Sequence, residues 1–124
     1  MIHSDAELDT MGRVDPQMTE AANRIYRGAK TWDAFPIVTV NGKPLNPRID
    51  LRKHCDHFRW AYAKDGGLQL ALAIMADHTG NDGAALDLYK DFQFFVITQL
   101  RGPWYLTSHD INKFMRARRI GKLR

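Results

Sequence analysis

The residues at 54 to 57, His54-Cys55-Asp56-His57, are four potential metal ligands in a row, in a chain with one cysteine and three other histidines. A tetrahedral zinc site needs three or four well-placed ligands. On an extended chain, side chains alternate between faces, so His54 and His57 point apart and share a metal only if the segment is helical or sharply turned. No second CxxC or HxxxH pair completes the set. Asp77-His78 and His109-Asp110 could contribute from afar, but no spacing demands it. The run therefore reads as a turn entering a strand, with no metal and no cofactor expected. A nucleophilic role for Cys55 requires a lowered pKa and a positioned base, and adjacency supplies neither. It reads as a small, semi-buried filler.

Two further stretches could bind anions. In "KDGGLQLAL", Gly66 and Gly67 precede a helix, and backbone N–H groups at a helix N-terminus suit phosphate or carboxylate. The stretch matches neither GxxxxGK[ST] nor GxGxxG, so a tight turn is the plainer reading. The stronger electrostatic feature is the C-terminal "KFMRARRIGKLR". Residues 113 to 124 carry six bases and no acid, whereas residues 1 to 23 carry five acids and one base. Arg116, Arg118, Arg119 and Lys122 could lie on nucleic acid or in an acidic groove. Arg48, Arg52, Lys53 and Arg59 form a second basic group. Trp32, Trp60, Tyr62 and Trp104 could stack on bases, although aromatics at strand spacing usually belong to a core.

The elements that would position these residues follow from periodicity. A chain of 124 residues supports one core. The expected organisation is an acidic N-terminal arm over 1–23, a single α+β domain over 24–115 and a basic tail over 116–124. Asp15-Pro16 resembles an N-cap followed by a first-turn proline, opening a short helix to about Asn23. "RIYRGAKTW" reads as strand, and "PIVTVNGKPL" as a hairpin turning at Asn41-Gly42, with Pro44 confined to an edge. "HFRWAYA" alternates aromatics with Arg59 and Ala61, which predicts another strand. "LQLALAIMAD" is apolar almost all round and predicts a buried helix after a KDGG loop, ended by Gly80. Asn81 or Asp82 caps an amphipathic helix whose stripe is Ala85, Leu88, Tyr89, Phe92, Phe95, Val96 and Gln99 or Leu100. Thr107 and Asp110 have capping-box spacing ahead of Ile111, Phe114 and Met115. Strands followed by helices imply an antiparallel or mixed sheet covered on one face by about three helices.

The segments "YRGAKTWDAFPIVTVNGKPLNPRIDLRKH", "FRWAY", "GLQLALAIMADHTGN", "LYKDF" and "WYLTSHDI" resemble a family of small uncharacterised bacterial and phage proteins known only as a domain of unknown function. The resemblance spans roughly Tyr26 to Phe114. Relatives tend to carry serine where Cys55 stands and more glycine over 61–67. It implies one domain and an association with mobile elements, and it implies no activity. No apolar run approaches the roughly 20 residues that span a bilayer. The acidic start lacks the features of a secretion signal, and the lone cysteine fits a reducing compartment. The reading is a non-enzymatic, cytoplasmic interaction module, phage- or plasmid-encoded, that binds nucleic acid or a nucleoprotein complex; a host-defence inhibitor would fit. The alternative is a small enzyme or anion-binding domain at the Gly66-Gly67 helix mouth, with His54, Asp77 or His78 as acid–base groups.

Overall fold

The computed structural model describes residues 23–30, 36–61, 64–119 and 121. The expected N-terminal arm and helix, Trp32, Tyr62 and Lys122 lie outside them. The element order is β1 (Ile25–Lys30), β2 (Pro36–Val40), β3 (Lys43–Pro44), α1 (Lys64–Thr79), α2 (Asp82–Phe95), a 3₁₀ turn (Ile97–Gln99), β4 (Trp104–Thr107) and α3 (Ser108–Arg119). The four strands form one antiparallel sheet in the order β3-β2-β1-β4. With three helices among the described residues, this is the small α+β fold the patterning implies.

The β2–β3 hairpin turns at Asn41 and Gly42, with φ of 50° and 83°, the left-handed angles an Asn-Gly turn adopts readily. Pro44 sits on the edge strand, where its missing N–H breaks no inner ladder. In β1, Tyr26 and Gly28 face the core beside Val38, Trp104 and Leu106. Gly28 is opposite Trp104, and a Cβ there would lie 2.3 Å from the indole. The missing side chain lets the ring cross the strand, and Trp60 meets that ring edge-on at 5.6 Å.

Helix α1 is buried continuously from Gln69 to Ala76, as its nearly uniform apolarity requires. Helix α2 is capped by Asn81, whose side chain accepts from the Ala84 N–H at 2.9 Å. Its buried stripe is Ala85, Leu88, Tyr89 and Phe92, and the helix stops at Phe95 rather than running to Leu100. Thr107 and Asp110 form the reciprocal capping box: Thr107 N donates to Asp110 Oδ2 and Asp110 N to Thr107 Oγ1.

Three expectations are corrected. "HFRWAYA" is not a strand over its described residues. Arg59 N donates to Gly66 O, Ala61 N donates to Ile97 O, and Ala61 has φ of 60°, so the backbone is committed to α1 and the 3₁₀ turn instead of a ladder. Its alternation arises because Trp60 is buried and Arg59 exposed along an irregular wedge. The final strand, "WYLT", follows α2 and makes β1 an inner strand, so the order is not simply strands and then helices. KDGG is no loop: it forms the first turn of α1, with Gly66 and Gly67 buried.

Candidate basic interaction surfaces

Arg48, Arg52, Lys53 and Arg59 do not act as one patch. Arg48 makes a two-pronged ion pair with Asp50 at 3.0 Å and reaches Asp82 at 3.2 Å. That partner holds the Asp50 carboxyl below its ordinary pKa. Lys53 pairs with Asp56 at 2.9 Å, which lowers the Asp56 pKa and raises that of Lys53. Two of the four charges are thus matched locally. Arg59 belongs to a different neighbourhood, beside Lys30 and Arg101.

Arg52 and His54 converge on Tyr89. Arg52 Nη1 lies 3.1 Å from the Tyr89 hydroxyl and His54 Nε2 lies 2.9 Å from it. A guanidinium only donates, so the phenol oxygen accepts from Arg52, and the same hydroxyl shares a second hydrogen bond with the His54 imidazole. Burial first, and the Arg52 charge second, depress the His54 pKa and favour the neutral imidazole. Beneath it, the fully buried Gln69 uses its whole amide. Oε1 accepts from the His54 and Cys55 N–H groups at 2.6 and 3.2 Å, and Nε2 donates to the Pro47 and Arg52 carbonyls at 2.6 and 3.1 Å. The HCDH run is therefore a segment tied down by α1. Among the described residues no three His, Cys, Asp or Glu side chains gather closely enough to hold a metal.

The remaining acid–base candidates are engaged internally. Asp77 Oδ2 accepts from the Tyr26 hydroxyl at 2.7 Å and pairs with Arg24, which also donates to the Asp77 carbonyl. Burial, then Asp77, raises the Tyr26 pKa. His78 Nε2 meets Asn112 Oδ1 at 2.8 Å, its Nδ1 is buried without a partner, and burial lowers its pKa. At Gly66 a Cβ would lie 2.6 Å from the Arg59 Cβ, so that segment closes over the first turn of α1.

The C-terminal cations separate by role. α3 continues through Arg119, so the first four residues of the expected tail are helical. Arg118 Nε contacts Asp91 at 2.7 Å and its Nη1 contacts Asp87 at 3.3 Å, tying α3 to α2. Arg116 and Arg119 have no ion pair among the described residues and line a groove of about 420 Å³ with Leu88, Asn112, Met115 and Arg118. Their i, i+3 spacing puts them about one helical turn apart on one side.

Gln69, Lys30 and Arg101 are not site candidates in the sequence reading, and Tyr89 enters it only as part of the apolar stripe of α2. A lone amide inside an otherwise apolar helix is the signal that could have found Gln69. Lys30 and Arg101 carry no local signal, because only the tertiary fold brings them to Arg59.

Together these features define a small α+β fold in which most of the described acids, with His54 and His78, are engaged in internal ties. The chain belongs to the family of unknown function DUF6166, whose model matches residues 26–117. Comparison with curated proteins and with solved structures returns no match. Among the described residues no helix is long and apolar enough to cross a membrane.

Proposed function

We propose that this protein is a non-enzymatic interaction module that binds nucleic acid, alone or within a nucleoprotein complex, through the basic rim of the α2–α3 groove. One observation carries the reading: among the described residues Arg116 and Arg119 have no carboxylate partner, while Arg118, between them, is neutralised by Asp87 and Asp91. Internal stabilisation of α3 accounts for Arg118 and leaves its neighbours unexplained. A polyanion supplies the missing partner, since phosphates attract clustered arginine whatever their sequence. Leu88 and Met115 add apolar surface beside the charges. A cytoplasmic setting and a mobile-element origin belong to the same reading, as does action on a host complex.

The test is a titration of fluorescent duplex DNA and single-stranded RNA at low salt, followed by anisotropy. Saturable binding to at least one is expected. No binding to either would refute the proposal.

A further inference from the structure

A second basic concavity lies apart from the α2–α3 groove in the residues that form it. It is a cavity of about 260 Å³ lined by Lys30 from the end of β1, Arg59 from the segment before α1 and Arg101 from the approach to β4. Trp60 and Leu100 supply apolar wall, and no acidic side chain lines the cavity among the described residues. Lys30 and Arg59 have no ion pair among those residues.

Backbone hydrogen bonds hold the segment that carries Arg59 in place. Arg59 N donates to Gly66 O at 3.2 Å and Ala61 N donates to Ile97 O at 3.1 Å, fixing the Arg59-Trp60-Ala61 segment from both sides. The bare Gly66 Cα permits this approach. Arg101 Nη1 donates to the Thr98 and Leu100 carbonyls at 2.7 and 2.9 Å, which orients the guanidinium without changing its charge. Clustered charge of one sign focuses potential into a concave site. A planar guanidinium matches two phosphate oxygens and a lysine ammonium matches a third as a point charge. The volume falls just below the range of roughly 300 to 1,000 Å³ for drug-sized ligands, which favours a small occupant.

We propose that the Lys30–Arg59–Arg101 cavity binds a phosphate monoester, either a free mononucleotide or the terminal phosphate of a nucleic-acid strand. This is independent of the α2–α3 groove.

The experiment is calorimetric titration of the full chain at constant ionic strength with AMP, adenosine, inorganic phosphate, and a short oligonucleotide bearing either a 5′-phosphate or a 5′-hydroxyl. AMP and inorganic phosphate should bind and adenosine should not. Lys30→Gln and Arg59→Gln should each weaken AMP roughly tenfold or more, the scale of losing a charged hydrogen bond, with unchanged circular dichroism. An Arg116→Gln, Arg119→Gln variant should retain AMP affinity, so failure of the groove and failure of the cavity are distinguishable. In the Arg116→Gln, Arg119→Gln background, tighter binding of the 5′-phosphate oligonucleotide than of both AMP and its 5′-hydroxyl counterpart assigns the strand-end source, and tighter binding of AMP assigns the free nucleotide; either supports the site. Equal binding of AMP and adenosine, no binding of AMP, or AMP affinity unchanged in both cavity variants would overturn it.

Discussion

At the residue scale, Gln69 ties the long segment between β3 and α1 to the buried helix. Its four hydrogen bonds reach Pro47, Arg52, His54 and Cys55 from a side chain with no solvent exposure. Gln69→Leu keeps the volume and strands two N–H groups and two carbonyls. It should cost about 2 to 4 kcal/mol, since each buried unsatisfied group costs about 1 to 3 kcal/mol and part of the segment can relax toward water. Urea denaturation measures this, and a loss under about 0.5 kcal/mol would mean that the amide is not holding the segment. The histidines give a pH signature. Both His54 and His78 have pKa values below the ordinary 6.5, chiefly from burial, so the unfolded chain takes up protons that the folded chain resists. Their contribution is fully present above about 6.5 and is lost as pH falls through the folded values. The denaturation midpoint should therefore drop between pH 7 and pH 5, and His78→Gln should shrink that drop. A midpoint flat across that window would contradict the assignment. The sequence exposes the types of these groups but not their burial, so HCDH reads as ligands or turn when its actual partners, Gln69 and Tyr89, lie 14 to 35 positions away.

At the element scale, what was legible is what local chemistry decides. Asn41-Gly42 fixes the hairpin, Asn81 caps α2, Thr107 and Asp110 cap α3, and an unbroken apolar run gives the buried α1. Phe92 was legible as a core residue from its place on the α2 stripe, and it is fully buried against Phe114 at 5.1 Å. Phe92→Ala should cost about 3 to 5 kcal/mol, visible as a large fall in Tm; an unchanged Tm would put the stripe outside the core. What was not legible depends on distant partners. The alternation in "HFRWAYA" has the strand period, yet its N–H groups are taken by Gly66 and Ile97. "WYLT" is short and earns its pairing only because β1 offers an open edge with Gly28 to receive Trp104.

At the scale of the whole molecule, the formal charge of +4 says little until the pairs are assigned. Arg48, Lys53 and Arg118 are matched by carboxylates, which removes them from the cations expected to meet a partner. The basic C-terminal segment was visible in composition; which of its arginines remain available was not, because Asp87 and Asp91 lie on another helix. The fold thereby sets Arg118, which keeps α3 seated, apart from Arg116 and Arg119, which line the groove.

The salt dependence of duplex DNA binding by the wild type and by an Arg116→Gln, Arg119→Gln variant tests this account most directly. Two phosphate contacts contribute about −1.8 to the slope of log affinity against log salt. The account predicts that the double variant binds more weakly, with a slope shallower by about that amount and an unchanged melting temperature. Wild-type affinity and slope in the double variant would contradict it.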